Sequence, residues 1–138
     1  MELAGGLAIH DGASGYNLSL AAGPQWKHFG FASYASFVNT PSNKFSNLTI
    51  VGLQMKILAQ ARKVRPYVVG DFGLFNFQTI NGKANMRTAS IDGGAGVDMP
   101  MGRSGKGFLV DMRYKWFVDY KRERAAIGVL TLSVGLRF

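Results

Sequence analysis

The carboxy-terminal stretch Ala125 to Phe138, which reads AAIGVLTLSVGLRF, decides the fold. Its side chains alternate strictly in polarity, which predicts a β-strand with one apolar and one polar face. The chain lacks an amphipathic helix to cover that apolar face, so the pattern favours contact with lipid. The apolar parity holds Leu130, Leu132, Val134, Leu136 and Phe138, and the other parity holds Thr131, Ser133, Gly135 and Arg137.

The same alternation recurs in seven earlier segments. They are residues 2–10, 16–23, 26–38, 48–58, 65–80, 87–99 and 107–120. The seventh alternates most strongly, since apolar or aromatic residues fill every second position from Phe108 to Tyr120. The fifth is ambiguous, and placing Asp71 inward makes Phe72 and Leu74 face outward. The sequence therefore predicts eight strands.

Length and composition limit the architecture to one domain over residues 1–138. Eighteen glycines and four prolines suit short strands joined by tight turns, and no apolar run reaches the roughly 20 residues of a membrane-spanning helix. Strands in lipid must close into a barrel, because an open edge would leave backbone groups unpaired. We predict an all-β, closed eight-stranded antiparallel up-and-down transmembrane β-barrel.

A soluble eight-stranded carrier of the lipocalin type is the competing fold. It would enclose Phe108, Met112 and Trp116 around a ligand and expose Asp111 and Arg113 to water. The number of charges on the polar parity and the terminal aromatic residue favour the membrane barrel instead.

The chain resembles the small eight-stranded bacterial outer-membrane barrels of the OmpA/OmpX type. The resemblance rests on the terminal VGLRF, on FLVDMRYKWF and GGAGVDMPMG before it, and on RPYVVGDFGLF in the middle. It implies a bacterial outer-membrane location, both termini in the periplasm, and a terminal signal of Val134, Leu136 and Phe138 that the outer-membrane insertion machinery reads. The outer loops are shorter than is common in that family.

Strand parity places most acidic residues inside the barrel. An eight-stranded barrel is just wide enough to be filled by side chains, so these charges are expected to form a lumenal ion-pair network and not to line a channel. Glu2, Lys56 and Asp119 share the inward parity. The predicted network comprises Asp71, Asp92, Asp98, Asp111, Arg113, Lys115 and Arg137.

Of the 16 bases and 8 acids of the chain, this parity assignment leaves twelve bases and two acids outside the lumen, which is an excess of +10 at the rims. The predicted outer basic rim, which would contact lipopolysaccharide phosphates, comprises Lys44, Lys83, Arg87, Lys121, Arg122 and Arg124. The periplasmic bases that would meet phospholipid headgroups are Arg62, Lys63, Arg65, Arg103 and Lys106. A solvated rim that prevents aggregation is the alternative reading of both sets. Bases split between two ends, without a groove of aromatic residues, disfavour nucleic acid.

Aromatic side chains near strand ends suit interfacial girdles. Trp116 and Tyr120 are the predicted girdle residues, because their sequence neighbours are charged, and sheet packing is the alternative. Tyr16, Trp26, Tyr67 and Tyr114 are further candidates.

No catalytic, cofactor-binding or metal-binding residue is predicted. His10, Asp11 and Ser14 cluster at the outer end of strand one, where some outer-membrane barrels modify lipid A, but adjacent strand residues point to opposite faces. His28 is interpreted as an inner-face histidine, and two histidines on separate strands make a poor metal site.

The function predicted from the sequence is that of an integral outer-membrane protein with a filled lumen and a structural, envelope-stabilising or assembly-partner role. Its expected partners are the lipid bilayer, lipopolysaccharide, the insertion machinery and an envelope protein. A narrow porin-like channel is the first alternative, and a lipid A-modifying enzyme is the second.

Overall fold

A computed structural model describes residues 1–40, 47–59, 63–78, 86–102, 105–117 and 127–138. Within these ranges, the side chains of 75–78, 86–88 and 127 lie outside the description. No helix that could cross a membrane occurs in these ranges.

Eight antiparallel strands form one closed barrel, in which each strand pairs with its neighbours in the sequence and β1 pairs with β8. This is the predicted fold. The strands are β1 (Glu2–His10), β2 (Ala13–Ala22), β3 (Phe29–Asn39), β4 (Asn47–Leu58), β5 (Arg65–Gln78), β6 (Met86–Pro100), β7 (Gly107–Phe117) and β8 (Ile127–Arg137).

The barrel has two ends, which we name by what they carry. The terminal end carries both chain termini and the β2–β3, β4–β5 and β6–β7 connections. The loop end carries the β1–β2, β3–β4, β5–β6 and β7–β8 connections. The tightest turn is at the loop end, where His10 pairs with Ala13 and only Asp11 and Gly12 connect the strands. Both have positive φ, 48° and 77°, as a two-residue type I′ hairpin turn requires.

The β2–β3 connection differs from the prediction, which began strand three at Trp26. Here Trp26 N–H donates to the Phe29 carbonyl at 2.7 Å, and Gln25 forms an isolated bridge with Gly30, so the segment folds back over the terminal end. Pro24 cannot donate to a ladder, and regular pairing resumes only at Phe29. His28, predicted on the inner face, is exposed in this turn.

Side-chain polarity is reversed relative to a soluble protein. Along β7, Phe108, Val110, Met112, Tyr114 and Trp116 are exposed on the outer wall, while the alternating positions are buried. Among the strand side chains that the structure describes, no charged residue shares that outward parity. The ambiguous fifth strand follows the same rule, with Asp71 inside and Phe72 outside.

Two buried apolar clusters flank the polar middle of the lumen. One includes Val38, Leu48, Phe117 and Val129, which lie near strand ends at the loop end. The other holds Leu58, Tyr67, Val69 and Leu109, three of which lie near strand ends at the terminal end. Lys115 and Asp98 are almost fully buried in the lumen.

Candidate functional site: the barrel lumen

Arg113 lies at the centre of the lumenal charges. Its Nη1 donates to Asp71 Oδ2 at 2.8 Å, and its Nη2 donates to Asp111 Oδ2 at 2.8 Å. The Tyr67 hydroxyl donates to the same Asp111 oxygen at 2.9 Å. One buried guanidinium therefore bridges two carboxylates, and charge-assisted bonds of this kind are about twice as strong as neutral ones.

Lys115 makes a contact that crosses the lumen. Its Nζ lies 2.5 Å from Asp92 Oδ2 and 2.6 Å from the Tyr34 hydroxyl oxygen. Tyr34 lies on β3, which is opposite β7 in a ring of eight strands. Lys115 is almost fully buried, and this contact joins opposite walls of the barrel.

Strand register explains why two cations are needed here. Asp71 pairs directly with Asp92 between β5 and β6, and Asp92 pairs with Lys115 between β6 and β7. Two carboxylates directly opposite each other would repel, and Arg113 and Lys115 neutralise one each.

A second group of charges lies nearer the terminal end. Lys56 Nζ donates to both carboxylate oxygens of Glu2 at 2.7 Å and lies 4.3 Å from the centre of the Tyr67 ring. Arg137 Nη1 donates to Asp98 Oδ2 at 2.7 Å, and Arg65 Nη2 donates to the same oxygen. Arg65, one of the bases predicted to meet phospholipid headgroups, is therefore paired with a buried carboxylate, and its contact with headgroups stays a prediction.

The lumenal charges balance within the described part of the chain. Five carboxylates meet five bases, each of them in at least one ion pair. The carboxylates are Glu2, Asp71, Asp92, Asp98 and Asp111, and the bases are Lys56, Arg65, Arg113, Lys115 and Arg137.

Glycines on the inner face of β6 make room for these side chains. A Cβ at Gly96 would lie 2.7 Å from Tyr67 Cζ and 2.6 Å from Asp111 Cβ, and one at Gly94 would lie 2.8 Å from Arg113 Cγ. Their lack of a side chain lets the large residues lie against the β6 wall.

The seven residues predicted for the network are therefore all inside the barrel, and the ion pairs connect them in three separate groups. Tyr34 and Tyr67, which complete two of the groups, were missed as lumenal partners. Their inward parity was visible in the sequence, but the cross-lumen pairing depends on register between distant strands. Asp119 lies outside the described residues.

The outer wall carries the predicted girdle residue Trp116. Its ring packs edge-on against Tyr114, with 4.5 Å between centroids, and Tyr114 covers the outward position of Gly128. Tyr16 and Trp26 are also exposed, whereas Tyr67 is buried in the lumen, so its assignment to a girdle is wrong. Tyr120 lies outside the described residues.

Val134 and Leu136 occupy outward positions of β8, Phe138 follows directly after the strand, and all three are exposed. Their role as an insertion signal stays a prediction. Most of the predicted outer basic rim lies outside the described residues, namely Lys44, Lys83, Lys121, Arg122 and Arg124. Arg87 lies in β6, but its side chain is outside the description.

His10 and Ser14, which the sequence places together at the outer end of strand one, lie on opposite faces of the barrel wall. His10 is buried in the lumen, where its Nδ1 lies 2.8 Å from the Gly128 carbonyl oxygen and its Nε2 lies 3.5 Å from Asp11. Ser14 pairs with Ile9 on the outward parity and is exposed. No group of three residues suited to hold a metal occurs in the part of the chain that the structure describes.

Comparison with known proteins gives structural matches only. No family profile and no curated protein sequence matches the chain. Neisserial surface protein A (NspA) superposes with a TM-score of 0.74 at 15% identity, covering 98% of this chain and 91% of that one. The chain has the fold of a small outer-membrane β-barrel.

Two further structures agree with that assignment. The outer membrane enzyme PagL matches with a TM-score of 0.70 at 13% identity over 99% of this chain and 97% of that one. The N-terminal barrel domain of Pseudomonas aeruginosa OprF matches with a TM-score of 0.65 at 15% identity over 99% and 96%. Identities this low establish the shared fold and leave function to the residues themselves.

Proposed function

We propose that this chain is an integral protein of the bacterial outer membrane with a closed lumen and a structural, envelope-stabilising or assembly-partner role. The exposed apolar wall supports the membrane location, because a continuous apolar surface of this extent is stable only against lipid. The structural matches support the same location, since the barrels of this fold include a protein named as an outer membrane enzyme.

The single observation that carries the closed lumen is the contact from Lys115 to Tyr34 across the barrel. Tyr34 belongs to the larger of the two buried apolar clusters, and Arg113 sits 5.7 Å from the centre of its ring. An ion would have to displace these buried pairs to pass.

Conductance in planar bilayers tests this closure. We expect no steady single-channel current from the wild-type protein. Tyr34→Ala removes the partner opposite Lys115 and should permit current, whereas Phe37→Ala on the outward face of the same strand should not. Steady current through the wild-type barrel would contradict the closed lumen and favour the narrow-channel alternative.

We propose further that the barrel is not catalytic. His10 and Ser14 lie on opposite faces of the wall, so neither can activate the other. Mass spectrometry of lipid A after incubation with the wild type and His10→Ala should give identical spectra. A modification that requires His10 would establish the enzymatic alternative.

The partners proposed are lipopolysaccharide and the lipid bilayer around the wall, the insertion machinery at β8, and an envelope protein. The apolar wall and the outward terminal residues of β8 support the lipid and insertion partners. Lipopolysaccharide binding can be tested by co-purification. We expect lipopolysaccharide to co-purify with the wild-type barrel and to be lost when the basic residues of the loop end are replaced.

A further inference from the structure

The terminal end of the barrel contains a cavity of about 470 Å³. The folded-back β2–β3 connection forms one side of it through Gln25, Trp26 and Lys27. Gln54 and Lys56, from the inner face of β4, also line it. Its position makes it accessible from the side of the membrane on which both chain termini lie.

The charged side chains that line the cavity are mainly basic. Lys27, Lys56, Arg65 and Arg137 face a single lining carboxylate, that of Glu2. Asp98 lies beneath Arg65 and Arg137 and is almost fully buried, so it compensates one further charge without itself lining the cavity. Four bases and two carboxylates leave a net charge of +2 around this space.

The two guanidinium groups are held in place before any ligand arrives. Both donate to the same oxygen of Asp98, so they lie side by side. Gly107 permits this arrangement, since a Cβ there would lie 2.9 Å from Arg137 Nη2 and 2.8 Å from Asp98 Oδ1. The Nε of Arg137, a side chain that is only 9% exposed, makes no hydrogen bond to any described residue.

We propose that this cavity binds a phosphate group, either of a soluble phosphate compound or of a lipid headgroup. A phosphate group carries one negative charge as a lipid diester and up to two as a monoester or as inorganic phosphate, so the net charge of +2 attracts either form. Paired guanidinium groups suit the several acceptor oxygens of phosphate. Trp26 at the cavity wall adds an amphipathic ring of the kind found at membrane interfaces.

Tryptophan fluorescence gives a direct readout, because the chain has only two tryptophans. In a Trp116→Phe background, Trp26 is the single reporter and lies in the cavity wall. The protein is folded in an amine-oxide detergent that contains no phosphate. Inorganic phosphate is then titrated at constant ionic strength against a chloride control. We expect a saturable change in Trp26 emission.

Variants test whether the change in Trp26 emission comes from phosphate bound in the cavity. Arg65→Gln leaves Asp98 paired with Arg137, and Lys27→Gln alters an exposed side chain, so both should fold. Each should raise the half-saturating phosphate concentration by roughly tenfold or more, as loss of a charge-assisted hydrogen bond does. Lys63→Gln, a matched exposed base at the same end outside the cavity, should leave it unchanged.

A second titration distinguishes the two sources of phosphate. Short-chain phosphatidylglycerol is added to the same micelles in place of inorganic phosphate. Saturation by the lipid alone identifies a headgroup site, and saturation by inorganic phosphate alone identifies a soluble ligand. No saturable change with either probe, or an equal effect of Lys63→Gln and Arg65→Gln, would overturn the proposal.

Discussion

Individual buried charges determine the interior of this barrel. Lys115 is almost fully buried and has two partners, Asp92 and Tyr34. Removing one member of a buried ion pair leaves the other charge without compensation, which typically costs about 3–5 kcal/mol. The stability of the barrel therefore depends on the completeness of each pair more than on the number of pairs.

Lys115→Met should lower the free energy of unfolding by about 3–5 kcal/mol, because Asp92 then stays buried without its cation. Denaturant unfolding in lipid vesicles measures it. The double variant Lys115→Met with Asp92→Leu should recover much of the loss, and Lys63→Met, an exposed control, should change little. A single variant as stable as the wild type would show that the pair does not support the fold.

Gly96→Ala should lower the free energy of unfolding by about 1–3 kcal/mol, because its methyl group would overlap Tyr67 and Asp111. Gly93→Ala is the matched control on the same strand, since an outward Cβ there meets nothing within 4 Å. The same unfolding assay compares the two. Equal stabilities would contradict the close packing of Tyr67 against β6.

At the level of the strands, alternation in the sequence predicted most of the architecture. Strand β1 was predicted with its observed bounds, and the parity of β5 followed from burying one carboxylate, Asp71. These predictions succeed because shifting a strand by one residue would point every one of its charged side chains towards the lipid. The prediction of the β2–β3 connection was wrong. Trp26 continues the apolar pattern of the strand, but the chain already folds back at Pro24 and Gln25.

The site was less predictable than the strands. Parity places Arg113 and Lys115 inside, but it does not say which carboxylate each one meets. That choice depends on register, which sets Asp71 beside Asp92 and brings Tyr34 across the lumen. The partner of Arg65 could not be predicted for a related reason, since this residue begins its strand and its long side chain can reach either the rim or Asp98.

The last strand provides a test of the proposed insertion signal. Phe138→Gln should slow assembly by purified insertion machinery while leaving spontaneous folding into thin vesicles unchanged, because the signal acts on recognition. Phe108→Gln, an outward aromatic change on the adjacent strand, is the control and should not slow machinery-dependent assembly. Equal slowing of both variants would contradict a specific role for Phe138.

Over the whole molecule, charge and polarity are separated by location. The described lumen is neutral and the described wall carries no charge, so the net charge of +8 does not come from these two parts of the barrel. A lipocalin-like carrier would show the opposite arrangement, with Phe108 and Met112 inside. Both of those side chains are on the exposed wall.

Single-cysteine labelling along β7 tests this inversion most directly, because the chain has no native cysteine. Fluorophores at Val110 and Met112, on the outer wall, should be quenched by nitroxide groups on lipid chains. A fluorophore at Leu109, an inward apolar position, should be protected from them. Quenching at Leu109 with protection at Val110 and Met112 would contradict the account.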